Sequence, residues 1–228
     1  MEMRKVLLLM AIAMMAAPAM ADYYVAGDFN GWNAAGNIMT DCGGGVYAVD
    51  LGDLVGRYEV KITNGTWDWN YPGPNSWLYG DTLGPTVIVF DTNTYADGWS
   101  PTTQRISVGS DWELSWNVVG SFCGWNNADP AWTMTLGPDM NFTKVASFAP
   151  GHYEFKFVVT GTWDSISWDN RSVNTANWSI DVDEAHPTWG FYLDPVAGVV
   201  KVESIPEPSS LLALIAGLPI LAVFRKKR

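Results

Sequence analysis

The stretch VAGDFNGW at residues 25–32 returns with changes as VVGSFCGW at residues 118–125. A second stretch follows each copy at a similar distance, YEVKITNGTW at residues 58–67 and YEFKFVVTGTW at residues 153–163. The offset between the copies is 93 residues at Trp32 and 95 residues at Lys61. Two agreements in the same order indicate an internal duplication, so the sequence predicts two tandem domains.

The second stretch of each copy alternates between apolar and polar side chains, which is the pattern of a half-buried β-strand. In the first copy Tyr58, Val60 and Ile62 take one face, while Glu59 and Lys61 take the other. The same alternation recurs in the second copy, so both lysines are expected to point away from the core.

A turn is predicted directly after each of these strands. Asn64-Gly65 and Thr160-Gly161 are turn-forming pairs. They are expected to bring Trp67 and Trp163 back beside the outer face of the strand.

Between residues 22 and 203 the chain consists of short β-rich runs separated by Gly, Pro, Asn and Asp clusters. This pattern predicts an all-β fold of two tandem immunoglobulin-like (early-set) β-sandwiches, over residues 22–108 and 109–203. Residues 87–90 and 189–193 are predicted as the closing strands. The stretch 92–103 is expected to be an extended loop and linker.

Residues 1–21 have the organisation of a secretory signal peptide, which forms an N-terminal helix. Arg4 and Lys5 precede an apolar run at residues 6–17, and Ala19-Met20-Ala21 supplies a small-x-small cleavage pattern. We expect the mature chain to begin at Asp22.

The last segment, residues 204–228, contains Pro206-Glu207-Pro208, an apolar stretch at 211–224 and four basic residues. Fourteen apolar residues are short for a membrane span of ~20, and the basic end favours the cytoplasmic side. By itself the pattern predicts a marginal hydrophobic helix that anchors the chain with residues 22–203 outside.

This segment closely resembles the PEP-CTERM sorting signal of Gram-negative bacteria in the order of its three parts. The resemblance implies transient membrane anchoring, processing by an exosortase, and release to the cell envelope or the extracellular matrix.

The composition of residues 22–203 bears on the type of ligand. They hold 7 Lys and Arg against 22 Asp and Glu, a net charge of −15, and all 13 tryptophans. So acidic a surface disfavours nucleic acid and anionic lipid or polysaccharide. Because a small domain buries only some of its tryptophans, a fraction is expected at a binding surface.

The two repeated stretches resemble the glycogen- and starch-binding modules of carbohydrate-binding family 48, of the type found in AMP-activated kinase β-subunits and pullulanases. In those modules two tryptophans and a lysine form a platform for α-glucan. Matched by position, the resemblance implies two sets of residues, which are Trp32, Lys61 and Trp67 in the first copy and Trp125, Lys156 and Trp163 in the second.

The family also places an asparagine just before the last strand, and this chain has none there. Asn75 or Asn70 in the first copy, and Asn177 or Asn174 in the second, are the candidate substitutes. This departure leaves open the identity of the ligand and whether both copies bind.

The predicted function is therefore non-catalytic binding of a neutral polysaccharide, an α-glucan such as glycogen or starch. The alternative is a structural or adhesive envelope protein without a sugar site, and a third possibility is an accessory subunit of a glucan-degrading enzyme. His152 and His186 are the only histidines and form no catalytic or metal-binding motif, so we expect no enzyme activity and no cofactor.

Each candidate also has an ordinary structural interpretation. Trp32 and Trp125 are alternatively core residues, and the two lysines alternatively pair with Asp68 and Asp164. Cys42 and Cys123 either form a disulfide between the domains or stay free. Asp181 and Asp183 either bind calcium or form a solvated acidic run. Four further tryptophans are expected in loops and either extend the platform or cover the core: Trp69, Trp77, Trp168 and Trp178.

Overall fold

The computed structural model describes residues 23–80, 84–93, 104–166, 171–173, 176–196 and 199–206. They form an all-β protein of antiparallel sheets, in which the helical elements are 3₁₀ turns of three residues. None of the helices among the described residues has the length and apolarity needed to cross a bilayer. The predicted signal helix, the apolar segment 211–224 and most of the predicted linker lie outside the described residues.

The described residues of the first half form eight strands in two sheets. They are β1 (Tyr24–Gly27), β2 (Asn37–Ile38), β3 (Thr40–Gly43), β4 (Val46–Asp50), β5 (Gly56–Thr63), β6 (Asn70–Gly80), β7 (Val87–Asp91) and β8 (Arg105–Val108). The sheet orders are β2-β1-β5-β6 and β3-β4-β7-β8. Apolar side chains from both sheets, such as Val60 and Phe90, are fully buried in one cluster between them, which makes the arrangement sandwich-like.

In the second half the residues that the structure describes form nine strands. They are β9 (Trp116–Gly120), β10 (Thr135–Leu136), β11 (Phe142–Ser147), β12 (Gly151–Val159), β13 (Ser165–Ile166), β14 (Arg171–Ser172), β15 (Trp178–Val182), β16 (Thr188–Asp194) and β17 (Val199–Ser204). One sheet has the order β10-β11-β16-β17, and in the other β12 pairs with β9, β13 and β15. Phe155, Phe157 and Phe191 are fully buried between the sheets.

The repeat in the sequence corresponds to a repeat in strand pairing. Lys61 on β5 pairs with Ala26 on β1, and Lys156 on β12 pairs with Val119 on β9. The other sheet is also matched, because β4-β7-β8 corresponds to β11-β16-β17. The predicted alternation is present, since Val60 and Ile62, like Phe155 and Phe157, are fully buried.

The strands predicted at residues 87–90 and 189–193 are present within β7 and β16, but they are not the closing strands. β8 and β17 follow them in the chain and pair with their outer edges. The prediction of a loop after Trp67 is also wrong in part, because residues Asn70–Gly80 form the 11-residue strand β6. The sequence did not predict this strand because it contains Pro72, Gly73 and Pro74, and both residue types are disfavoured in strand interiors.

The outer face of β6 packs against the second half of the protein. Trp77 is fully buried and belongs to the hydrophobic cluster of the second half, where its ring lies 5.9 Å from that of Trp116. The guanidinium carbon of Arg171 lies 3.6 Å from the centre of the Trp77 ring, and the same group forms a buried ion pair with Asp111. The amide of Val173 also donates to the carbonyl oxygen of Asn75 at 3.0 Å, so the two halves share backbone hydrogen bonding.

Candidate functional site

The first repeated stretch forms the same unusual turn in both halves. β1 ends at Gly27 and continues into the 3₁₀ turn Asp28–Asn30, after which Gly31 and Trp32 adopt left-handed backbone angles with φ of 64° and 61°. In the second half the φ values of Gly124 and Trp125 are both 60°. A left-handed tryptophan is rare and costs of the order of 1–3 kcal/mol, and such strain collects at functional sites.

The glycine at the start of each turn is required by close packing. A Cβ on Gly27 would collide with the carbonyl oxygen of Glu59, and one on Gly120 would collide with that of Glu154. The chain closes the turn by a hydrogen bond from the amide of each left-handed tryptophan to the carbonyl of this glycine, at 2.9 Å in the first half and 3.0 Å in the second. The repeated glycine therefore sets the indole beside the lysine strand.

In the first half the structure brings Trp32 and Trp67 together. Their ring centres are 6.3 Å apart with 43° between the planes, and the indole N–H of Trp32 donates to Asp28 at 3.0 Å. Trp67 is 46% exposed, whereas Trp32 is half-buried. Trp32 is thus not a core residue but half of an accessible aromatic pair.

The turn that carries Trp67 is held by its own side chains. The amide of Thr66 donates to Asn64 Oδ1 at 3.2 Å, and the amide of Asp68 donates to Thr66 Oγ1 at 3.2 Å. Asn64, Thr66 and Asp68 are all exposed, so the turn that carries the indole also presents hydrogen-bonding groups to solvent.

In the second half Trp163 is 51% exposed and Trp125 is half-buried. Their two turns are joined through Asn127, whose side-chain amide donates to the Thr162 carbonyl at 2.8 Å and whose own carbonyl accepts from the amide of Gly161 at 2.8 Å. Among the described residues the two indoles make no ring contact with each other. The second half therefore presents one exposed indole rather than a pair.

Lys61 is used within the first half. Its ammonium donates to Asn70 Oδ1 at 3.0 Å and to the carbonyl oxygens of Pro72 and Gly73, each at 2.6 Å. Burial lowers the pKa of this group. Lys61 thus binds oxygens at the start of β6 rather than Asp68, and these three contacts engage all three of its ammonium protons. A contact between Lys61 and a ligand remains a prediction. Lys156, half-buried on β12, likewise remains a predicted ligand residue.

Asn75 and Asn177 occupy equivalent positions. The Asn75 side-chain amide donates to Glu59 at 2.7 Å, and that of Asn177 donates to Glu154 at 3.1 Å. We did not predict the two glutamates as site residues, although both belong to the Tyr-Glu pair that is repeated in the two copies. Their repeated contact makes each Glu–Asn pair part of the outer face beside the lysine.

The remaining candidates have ordinary surroundings. Cys42 and Cys123 are both free, so the disulfide alternative is wrong, and burial raises the pKa of the Cys42 thiol. Cys123 instead accepts a hydrogen bond from the amide of Gly120 at 3.3 Å and so stands where Asn30 stands in the first half.

The acidic run near the end of the second half is paired with histidines. Asp181 contacts His152 Nδ1 at 2.7 Å and Asp183 contacts His186 Nδ1 at 2.9 Å. The His186 contact lowers the pKa of Asp183. No group of three or more metal-binding side chains occurs in the part of the chain that the structure describes.

Of the remaining candidate tryptophans, Trp69 and Trp178 cover the cores and Trp168 lies outside the described residues. Trp69 contacts Tyr23 and Phe90, and Trp178 stacks on Phe155 with 20° between the planes.

Pro206 follows the end of β17, whereas Glu207 and Pro208 of the predicted sorting motif lie beyond the described chain. No protein-family model matches the sequence, and no curated protein matches it.

Proposed function

We propose that this is an exported, non-catalytic protein that binds a neutral polysaccharide, an α-glucan, through exposed tryptophans on two immunoglobulin-like β-sandwiches. The observation that carries the proposal is the Trp32–Trp67 pair. Two indoles from separate turns meet at 6.3 Å on the surface, and one of them, Trp32, is held in a left-handed backbone conformation.

The chemistry of the pair suits a pyranose ring, which has an apolar C–H face and a rim of hydroxyls. Covering about 80–100 Å² of an indole face contributes ~2–2.5 kcal/mol at ~25 cal/mol/Å². Two such contacts, reduced by the association entropy, correspond to dissociation constants between roughly millimolar and tens of micromolar. The exposed Asn64, Thr66 and Asp68 are available for hydrogen bonds to the sugar rim.

Charge favours a neutral ligand over an anionic one. Asp28 and Asp68 flank the aromatic pair, and the only cation that we predicted there, Lys61, is committed to three protein oxygens. An anionic polysaccharide would meet net repulsion at this surface.

The proposed location follows from the two ends of the chain. We infer a signal peptide at residues 1–21, export, transient anchoring through residues 211–224, and release to the envelope or the matrix after processing of a PEP-CTERM signal by an exosortase. Fractionation of cells that make the protein, with and without Pro206→Ala/Pro208→Ala, tests this part. Loss of release in the variant supports it, whereas unchanged release contradicts it.

The binding proposal is tested by native electrophoresis through gels that contain glycogen, amylose, or no polysaccharide. We expect the α-glucans to retard the wild type and not Trp67→Ala, with part of the retardation restored in Trp67→Phe, which keeps an aromatic face. Val55→Ala is the matched control, since Val55 is 69% exposed and lies outside the aromatic pair. Equal mobility of wild type and Trp67→Ala in all gels would overturn the proposal.

A structural or adhesive envelope protein is the second candidate. The observation that favours it is the commitment of Lys61 to Asn70, Pro72 and Gly73, because a lysine so engaged stabilises the fold rather than binding sugar. Under this alternative no glucan retards the wild type, while unfolding of Lys61→Met shows a clear loss of stability.

A further inference from the structure

The carboxylate next to Trp163 is held by the other half of the protein. Asp164 is buried, and its oxygens accept two hydrogen bonds from the Arg57 guanidinium, both at 2.7 Å. The hydroxyl of Tyr79 donates to the same carboxylate at 2.8 Å. Arg57 lies on β5 and Tyr79 on β6, so the Trp163 turn is fastened to the outer face of the first sheet.

The equivalent residue in the first half shows that this contact is specific to the second turn. Asp68 follows Trp67 in the same Thr-Trp-Asp sequence, yet it is exposed and lies within 3.3 Å of Thr66 Oγ1 of its own turn. The local sequence is the same in both copies, so the burial of Asp164 results from the packing of the two halves. Arg57 and Tyr79 therefore hold the Trp163 turn from the first half, while Asn127 holds it from within the second half.

The same arginine begins a series of polar contacts that leads to the Trp32–Trp67 pair. Arg57 contacts Glu59 at 3.3 Å, the amide of Glu59 donates to Asp28 at 2.8 Å, and Asp28 accepts from the indole of Trp32. We call Asp28, Glu59 and Asn75 the polar strip. Asp28 is exposed and the other two are half-buried, so the strip is open to solvent between the two aromatic surfaces.

We propose that the Trp32–Trp67 pair, the polar strip and Trp163 form one composite site for a single long, neutral glucan chain. The inference rests on the proposed function. Indole faces bind the apolar faces of sugar rings at both ends, and the carboxylate and amide groups between them hydrogen-bond to hydroxyls along the chain. Arg57 is a positioning residue, because it holds Trp163 at a fixed place relative to the first half.

The contact between the halves gives this arrangement its binding advantage. Arg171 of the second half stacks on the fully buried Trp77 of the first half and donates from Nε to the Trp77 carbonyl at 2.8 Å, and these contacts oppose separation of the halves. A ligand bound at one end therefore meets the other end at high effective concentration. A weak site at each end becomes a stronger site for a ligand long enough to contact both.

The test measures affinity against ligand length by calorimetric titration of the full chain with maltotriose, maltoheptaose and soluble amylose. For the wild type we expect affinity for amylose, per binding event, to exceed that for maltotriose by at least about tenfold. Arg57→Gln is expected to lose most of this difference while its affinity for maltotriose stays within about twofold.

The matched control is His152→Gln, the equivalent position in the second half, whose ring contacts Asp181 rather than the other half. Trp163→Ala provides a second variant that does not depend on the ion pair, and it should lose the same length dependence. Absence of binding by the wild type to any of the three sugars would overturn the proposed function and the composite site with it. Binding with equal affinity for short and long chains, or an unchanged length dependence in Arg57→Gln, would overturn the composite site alone.

Discussion

Replacing Trp77 by alanine is the sharpest test of how the two halves are joined. The Trp77 side chain is fully buried, its ring lies 5.9 Å from Trp116 and 5.8 Å from Tyr79, and its indole N–H donates to the Ser165 carbonyl at 3.3 Å. The substitution removes these contacts and leaves Arg171 without the ring on which it stacks.

The magnitude follows from this burial. A buried tryptophan removes roughly 200 Å² from water, an upper bound of ~5 kcal/mol at ~25 cal/mol/Å². Replacement of a buried aromatic by alanine costs about 3–5 kcal/mol, and the loss of a desolvated cation–π contact adds up to about 2 kcal/mol. We therefore expect Trp77→Ala to lower the free energy of unfolding by about 4 kcal/mol or more.

The assay is urea unfolding followed by circular dichroism, with Trp67→Ala as the control. Trp67 is 46% exposed, so its removal should change the free energy of unfolding by only about 0.5 kcal/mol. A Trp77→Ala variant within about 1 kcal/mol of the wild type would refute the reasoning, because a residue that joins the two cores cannot be removed at so small a cost.

Two further predictions concern the strand face and the repeated turn. Burial and the Asp164 contact raise the pKa of Tyr79 from 10.0 to about 12. Because the pKa is higher in the folded state, the stability contributed by the neutral hydroxyl is present below pH 10 and is lost as the pH rises through about 12. The difference in free energy of unfolding between wild type and Tyr79→Phe, measured by urea unfolding, should therefore shrink over that range. A constant difference would contradict the assignment. Gly27→Ala places a methyl group against the Glu59 carbonyl and should destabilise the folded protein by about 1–3 kcal/mol in thermal unfolding. Gly73→Ala is the control and should change thermal unfolding little, because the space around Gly73 is open. Equal effects of the two substitutions would contradict the close-packing explanation.

The features that could be predicted from sequence are those that depend on local pattern. The alternation around Lys61 and Lys156 predicts two strands with the correct faces, and the turn pairs after them predict the exposure of Trp67 and Trp163. In each case neighbouring residues alone determine the outcome, because side-chain period and turn chemistry are local properties.

The features that could not be predicted depend on contacts between distant residues. Thr-Trp-Asp occurs in both copies, but Asp68 is exposed and Asp164 is buried, and the approach of Arg57 and Tyr79 distinguishes them. β6 was likewise not predicted, because its prolines and glycine are disfavoured in strands. Its outer face, with Trp77, nevertheless joins the two halves. Local propensity is overridden there by tertiary packing.

Binding of α-glucan by the exposed tryptophans is the function that we propose. It is tested by titrating the purified protein with maltoheptaose and following tryptophan fluorescence, beside a Trp67→Ala/Trp163→Ala double variant whose circular dichroism shows that it is folded. We expect a saturable change in the wild type, with a midpoint between roughly tens of micromolar and millimolar, that the double variant lacks. No change in the wild type at tens of millimolar ligand, or an equal change in the double variant, would contradict it.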